Sequence, residues 1–269
     1  MPRDRHGNPY VSRASDCDPV RVLWQDDTAL VVAKPSGMLV HNAAFAGRPE
    51  YTLIQAIREL QPPQDPTTPD KLHAVHRLDR GTSGTVLLAT QAEWTAPWQQ
   101  ALAEGQRHYL AVVRGHLQQP VDIDHPVKDD RGERKPAQSR FVPLAHSTVE
   151  RCCLVRVELT TGRYHQVRQH AGHISHPLIG DSEYGKGQLN RHFAATWGLA
   201  RLALHGLWLH SRHPATGEPW EITAPLPADL TEPLAKLGLW PVDVTATPVF
   251  APPMADVAAA STLLVASSV

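Results

Sequence analysis

The stretch His76-Arg77-Leu78-Asp79-Arg80-Gly81-Thr82-Ser83-Gly84 sets one carboxylate among three potential cations, with small turn-forming residues behind it. Neighbouring arginines favour the charged form of a carboxylic acid through Coulomb attraction. An ionised carboxylate held in this way can act as a nucleophile or a base. Ser83 between glycines invites a serine-hydrolase reading, but the stretch lacks the Gly-x-Ser-x-Gly spacing of a nucleophile elbow. A structural Arg–Asp turn would leave the same pattern, and these residues alone leave both readings open.

A second constellation is Thr161-Gly162-Arg163-Tyr164-His165-Gln166-Val167-Arg168-Gln169-His170. Helical spacing puts Tyr164 with Arg168, and Gln166 with His170, on shared faces. Arginines at the start of such a helix can grip phosphate or orient a carboxylate through two hydrogen bonds. A solvated amphipathic helix is the alternative. The histidines at 165, 170, 173 and 176 include an i, i+3 pair, His170 and His173, that could chelate. No Glu, Asp or Cys at ligand spacing completes a shell, so no metal is expected. Neither a phosphate-cradling Walker loop nor a dinucleotide fingerprint is present.

These residues need elements to position them. The 269 residues, 42% of them hydrophobic, are enough for one large catalytic domain or two small ones. Val20–Trp24 and Ala29–Ala33 read as strands around an Asp26-Asp27 turn, and Lys34-Pro35-Ser36-Gly37 closes the second in a tight turn. Leu53, Ile54, Ile57 and Leu60 recur at helical spacing over 52–60. Strands are expected at 85–89, 107–114, 151–160, 202–209 and 220–222, and helices at 93–103 and 164–173. Residues 122–140 alternate charges with few apolar residues and read as an exposed excursion. The fold class is therefore α+β, a sheet-rich domain with helices on one side. Its expected limits are a flexible lead-in over 1–19, a catalytic domain over 20–240 and a low-complexity tail over 241–269.

Composition narrows the classes further. No run approaches the roughly 18 apolar residues of a membrane helix, and the charged N-terminus lacks a secretory signal, so a cytoplasmic protein is expected. Three cysteines, two of them adjacent, make no disulfide framework. Net charge is −1, which argues against non-specific coating of nucleic acid. Between Arg163 and Arg212, however, six basic residues face two acidic ones, a local excess of +4. A basic face on a neutral protein suits a selective, transient nucleic-acid substrate.

Taken together, the stretches resemble the RluA family of RNA pseudouridine synthases. HRLDRGTSG at 76–84 is similar to that family's catalytic loop, KPSGMLVH at 34–41 to its upstream Lys-Pro-x-Gly motif, and RHYLAVVRG at 107–115 to its tyrosine strand. TGRYHQVRQH, followed by HPLIGD at 176–181, is similar to its arginine motif, and RLALHG at 201–206 with HPATGE at 213–218 to its last core strands. Order and spacing agree over roughly 20–225. GDSEYGKGQLNR at 180–191 resembles the TruC-like branch, which modifies tRNA. Arg107 departs from the lysine usual in the tyrosine strand, and the small N-terminal RNA-binding module of some relatives is not expected, since residues 1–20 would not hold it.

The resemblance implies a pseudouridine synthase fold, a mixed and mainly antiparallel sheet with flanking helices. It implies isomerisation of a uridine in structured RNA, tRNA before rRNA, with no cofactor and no obligate protein partner. Asp79 would be the essential carboxylate, Tyr109 would stack on the uracil and take part in proton removal, and Arg168 would hold Asp79 ionised. Arg77 would point toward the RNA; Arg80, Arg163, Lys186 and Arg191 would contact it; Leu204 would line the uracil pocket. An rRNA-modifying synthase, a non-catalytic RNA-binding protein and a metal-dependent hydrolase are the competing classes.

Overall fold

The computed structural model describes residues 11, 17–41, 51–61 and 72–242. Most of the 1–19 lead-in and nearly all of the 241–269 tail lie outside them. Val11, inside the expected lead-in, is buried, with its N–H on the Gly37 carbonyl and its carbonyl on the Tyr51 N–H.

One large sheet organises the molecule. Its strands are β1 (Arg21–Gln25), β2 (Ala29–Lys34), β3 (His73–Ala74), β4 (Ser83–Ala89), β5 (Gln106–Arg114), β6 (Val121–Asp124), β9 (Gln138–His146), β10 (Cys152–Leu159), β11 (Leu204–Arg212) and β12 (Pro219–Thr223). The order is β1-β2-β4-β11-β5-β10-β9-β6, with β3 on β4 and β12 on β11. Between β6 and β9, β7 (Val127–Lys128) and β8 (Arg134–Lys135) form a separate small hairpin. Among the described residues five α-helices accompany the strands: α1 (Leu53–Leu60), α2 (Thr95–Glu104), α3 (Gln166–His173), α4 (Gly187–Trp197) and α5 (Ala228–Lys236).

The local rules account for these elements. Thr52 caps α1 in a reciprocal box with Gln55, satisfying two N–H groups at the helix start. β4 is buried along its whole length, which is why it reads as a continuous apolar run and not as an alternation. Successive strand side chains point to opposite faces. On β2 and β4, Leu30, Val32, Val86 and Leu88 pack toward α1, while Ala29, Val31, Leu87 and Ala89 pack with Trp98 and Leu102 of α2. On β5, Ala111 and Val113 face α3, whereas Val112 faces Phe193 of α4 and Leu230 and Leu234 of α5. Helices therefore cover both faces, correcting the one-sided arrangement expected from the sequence.

Residues 122–140 are also corrected. Ile123, Val127, Ala137 and Phe141 are buried, while Asp122 and Arg140 pair across β6 and β9 at 2.9 Å on the exposed side. The alternation of charge was the period of two of half-buried strands. The sequence reading also passed over α4 and α5.

The two halves of the sheet meet where β4 runs parallel to β11 through only two residue pairs, Ser83–His205 and Gly84–Gly206. A Cβ on Gly84 would lie 2.1 Å from the Gly206 carbonyl oxygen, and Gly84 has φ +125°. Only glycine allows this approach. The junction sets the catalytic-type loop beside the tyrosine strand, at the mouth of a cleft.

Candidate active site

Asp79 sits in the loop between β3 and β4, and the Lys34-Pro35-Ser36-Gly37 turn fastens that loop. Lys34 is buried and its Nζ donates to the carbonyls of Met38 (2.7 Å), Pro35 (3.0 Å) and Arg80 (3.3 Å). Burial, then the nearby Arg201 charge, pull its pKa down to about 7 against the opposing pull of Asp79. The Ser36 hydroxyl donates to Gly81 O at 2.8 Å and the Gly37 N–H to Arg80 O at 2.7 Å. Backbone on both sides of Arg80 is thus gripped, and the Thr82 N–H closes the turn on the Asp79 carbonyl.

His76 was counted from the sequence among three potential cations. Burial, reinforced by the Arg107 charge, drops its pKa to about 3, and its Nε2 accepts from the Leu87 N–H at 3.1 Å. It is a neutral acceptor that pins the loop to β4. Ser83 is a structural residue as well: it is buried, with its hydroxyl 2.8 Å from His205 Nδ1 and 2.8 Å from Arg201 Nη2.

Arg168 comes from the first turn of α3. Its Nε and Nη2 donate to the two oxygens of Asp181 (2.8 and 3.0 Å), Nη2 also to Glu183 (3.3 Å), and Nη1 to Asp79 Oδ2 at 3.3 Å. Burial lowers the pKa of Arg168, but these carboxylates outweigh it and the net direction is upward. Asp181 is itself buried, which raises its pKa; the Arg168 bond and charge, with the N–H groups of Tyr184 and Glu183, overcome that and hold it below the usual carboxylate range. One rigid fork on a buried base therefore leaves a single guanidinium N–H group aimed at Asp79. The Asp79 side chain stays 27% exposed, against 9% for Arg168 and 0% for Asp181. Glu183 is 52% exposed but lines only the outer lobe of the cleft, whereas Asp79 is the carboxylate of this network that lines both lobes.

His165 precedes α3 in a left-handed conformation, φ 51°. Such a backbone is uncommon outside glycine and tends to occur at functional sites. Its Nε2 lies 3.7 Å from Asp79 Oδ1, its Nδ1 3.3 Å from the Tyr184 hydroxyl, and its ring stacks on Tyr164 at 3.7 Å. The chelating pair suggested by spacing is otherwise engaged: His170 Nδ1 meets the Ser139 hydroxyl at 2.6 Å, its Nε2 meets His125 O at 2.8 Å, and His173 stacks on His125. Among the described residues no group of three or more His, Cys, Asp and Glu side chains is arranged to hold a metal.

A cleft with two lobes opens at Asp79. The inner lobe, about 650 Å³, is lined by Tyr109, Leu204, Arg107, Arg163 and the 159–168 segment; the outer, about 770 Å³, by Arg80, Arg191 and the 180–183 turn. Arg77, Leu78, Asp79, Tyr164, His165 and Arg168 form the wall they share. Either volume suits a nucleoside-sized ligand. Tyr109 is half-buried, and burial, with a contribution from Asp79, raises its pKa against the opposing Arg107 charge, so the phenol is held protonated at neutral pH.

The structure thus gathers most of the residues singled out in the sequence. Asp79, Tyr109, Arg168, Leu204, Arg77 and Arg163 share the inner lobe, and Arg80 and Arg191 line the outer one. Lys186 is exposed just before α4 and lines neither lobe. The basic face is smaller than the charge count implied, because Arg168 and Arg201 are buried among partners. Sequence reasoning noted Arg107 only as a departure from the usual lysine and gave it no place in the site, and it passed over the proximity of His165 to Asp79. Arg107 had a visible signal, since residues two apart on a strand share a face and Tyr109 was already chosen.

Comparison with known proteins agrees with this arrangement. The family model described as RNA pseudouridylate synthase matches residues 28–173. A tRNA pseudouridine synthase C of Yersinia pestis is 33% identical over 228 residues, covering 76% of this chain and 86% of that protein. The ribosomal large subunit pseudouridine synthase C of Yersinia pestis is 36% identical over 230 residues, covering 80% and 67%. The chain spans 62% of the length of a tRNA pseudouridine synthase C from Pectobacterium carotovorum subsp. carotovorum, at 30% identity over 81% of this chain. Among solved structures, human RNA pseudouridylate synthase domain containing 1 superposes with a TM-score of 0.64, covering 88% of this chain and 97% of that one at 24% identity, which speaks for a shared fold. With its order of motifs, its sheet and its match over more than half its length, the chain belongs to the RNA pseudouridylate synthase family.

Proposed function

We propose that this protein isomerises a specific uridine to pseudouridine in structured RNA, with tRNA as the favoured substrate. The observation that carries the reading is the partly open Asp79 carboxylate, held by an arginine whose other bonds go to buried Asp181 and to Glu183 at the surface, at the junction of two nucleoside-sized lobes. The reaction breaks the C1′–N1 bond, turns the base and forms a C1′–C5 bond; C5 loses a proton and N1 gains one. Atoms and electrons balance within the substrate, so the reaction consumes no co-reactant.

Each residue has a role in that sequence. Cleavage builds positive character at the sugar, and Asp79 stabilises or captures it, at the sugar or through the base. Arg168 orients Asp79 and favours its ionised form. Tyr109, beside Leu204 in the inner lobe, stacks on the uracil and takes part in removing the C5 proton; held protonated by burial, its phenol needs an acceptor before it can serve as a base. Arg77 is exposed, with its guanidinium 5.9 Å from the Tyr164 ring centre, and fills the space left in the RNA when the uridine swings out. Extrusion of a base costs a few kcal/mol, about what backbone contacts must return. Arg80, Arg163 and Arg191 are placed to make such contacts, and exposed Lys186 extends them.

The tRNA assignment rests on the 180–191 stretch, which forms the turn and α4 edge of the outer lobe, and on the relatives that carry that name. The 36% identity to a ribosomal enzyme favours rRNA as the second reading. Carbodiimide mapping of RNA from cells with and without the gene separates them: loss of one tRNA signal supports the first, loss of an rRNA signal the second. Asp79→Asn must abolish product formation in vitro while RNA binding persists; undiminished turnover would refute the assignment.

A further inference from the structure

Arg107 lines the inner lobe of the cleft, and among the described residues no carboxylate is paired with it. On β5 it shares a face with Tyr109 two residues on, and both line the inner lobe with Leu204. Its Nε is buried without a hydrogen-bond partner among the described residues. A buried donor left unpaired costs stability and calls for an explanation. The guanidinium has been given room: a Cβ on Gly162 would lie 2.2 Å from Arg107 Nη1. Its positive charge is felt on both sides, lowering the basicity of His76 and opposing the upward shift of Tyr109.

We propose that Arg107 is a further catalytic residue, the group that stabilises the negative charge of the uracil once its bond to the sugar is broken. This rests on the function proposed above and adds the fate of the leaving base. When C1′–N1 breaks, the bonding electron pair departs on N1 and spreads over the ring carbonyls, while Asp79 compensates C1′. The free anion then turns, C5 donates a pair to C1′, the C5 proton leaves, and N1 is reprotonated. Between the two bonds the lobe holds an anion that needs a cation. Arg168 is committed to three carboxylates and Arg77 lies exposed at the mouth, whereas Arg107 is inside with a donor free. A preorganised cation in a site shielded from water acts far more strongly than in solution.

Single-turnover rates with two RNAs test this, one carrying uridine at the target and one 5-fluorouridine, whose base departs as a more stable anion. The readout is loss of the N-glycoside, because fluorine at C5 bars the final deprotonation. Arg107→Gln is expected to slow the uridine reaction by about 10²–10³-fold, to leave the Kd for RNA within a few-fold, and to slow the 5-fluorouridine reaction markedly less. Gly162→Ala keeps the arginine but displaces its tip, and its φ is not in the left-handed region, so it should fold and show the same pattern more weakly. Equal slowing on both RNAs, an effect confined to Kd, or wild-type rates in both variants would overturn the proposal. Should Arg107→Gln fail to fold, Gly162→Ala decides alone, and wild-type rates from it count against Arg107. Wild-type protein that makes no pseudouridine in any RNA defeats the proposed function instead, so the two failures are distinguishable.

Discussion

Arg168 and Arg201 are both buried, both hold the segment around Asp79, and do different work. Arg168 spends its donors on Asp181, Glu183 and Asp79, and the carboxylates raise its pKa despite burial. Arg201 donates to the carbonyls of Leu202, Leu204 and Gly81 and to the Ser83 hydroxyl, with Asp229 as its acidic partner. There burial prevails, and the pKa falls. One arginine is over-supplied with negative charge and presents a carboxylate to the cleft; the other is under-supplied and ties backbone together. Burial of a charge does not itself mark a site. The marker is a partner that lines the cleft, as Asp79 does and Asp229 does not.

The largest expected effect comes from removing the over-supplied partner. Arg168→Met leaves Asp181 buried and unpaired, a loss of about 3–5 kcal/mol, seen as a lower urea midpoint, together with loss of pseudouridine formation. Arg168→Lys sharpens the point: it keeps a charge but not the two-pronged grip, so the fold should survive while turnover falls by at least tenfold. Arg201→Met should cost less, about 1–3 kcal/mol, because Asp229 is half exposed and is rehydrated when its partner goes. The folded fraction at low temperature should retain near wild-type turnover. Equal catalytic damage from both arginine variants would dissolve the distinction.

Acid exposes the same contrast. His205, beside Ser83 and Arg201, has its pKa pushed down from the usual 6.5 to about 3 in the folded protein, through burial and then the Arg201 charge. Between those values the unfolded chain binds a proton that the folded chain refuses, so stability falls as pH drops from about 6.5 toward 3. His76 acts in the same direction and over the same window. Urea midpoints measured from pH 7.5 to 4.5 should decline, and in Arg201→Met the decline should be shallower, since one source of repulsion is gone. A pH-independent midpoint would mean that these rings are not held neutral. The smallest effects belong to the periphery of the comparison. Ser83→Ala should cost about 1 kcal/mol with turnover unchanged, and Arg191→Ala should weaken RNA binding a few-fold and flatten the salt slope by about 0.9, leaving the rate at saturation intact.

Much of this was legible beforehand, for identifiable reasons. The β2, β4, β5 and β10 strands and α1 announce themselves through apolar period, and the loop around Asp79 through its density of arginine and glycine. The 122–140 strands were missed because their buried apolar positions are few, so the outward charges dominate the pattern. Lys34 shows why a motif can be seen without its purpose: three carbonyls, one of them 46 residues away, give it its role. The tally of positive charge between 163 and 212 overstated the RNA-facing surface, since sequence counts a guanidinium without saying which acid has claimed it.

The amino-acid order by itself determined the family, the strands and helices with a strong apolar period, and the identity of the candidate carboxylate, because these depend on residue types at short spacings. Tertiary structure alone decided which cations are spent and which remain available. Pairing partners such as Arg168 with Asp79, 89 residues apart, or Arg107 with the groove left by Gly162, come together only when the sheet and its helices close. Charge energies depend on distance and on the water excluded around them, and neither quantity exists until the chain is folded.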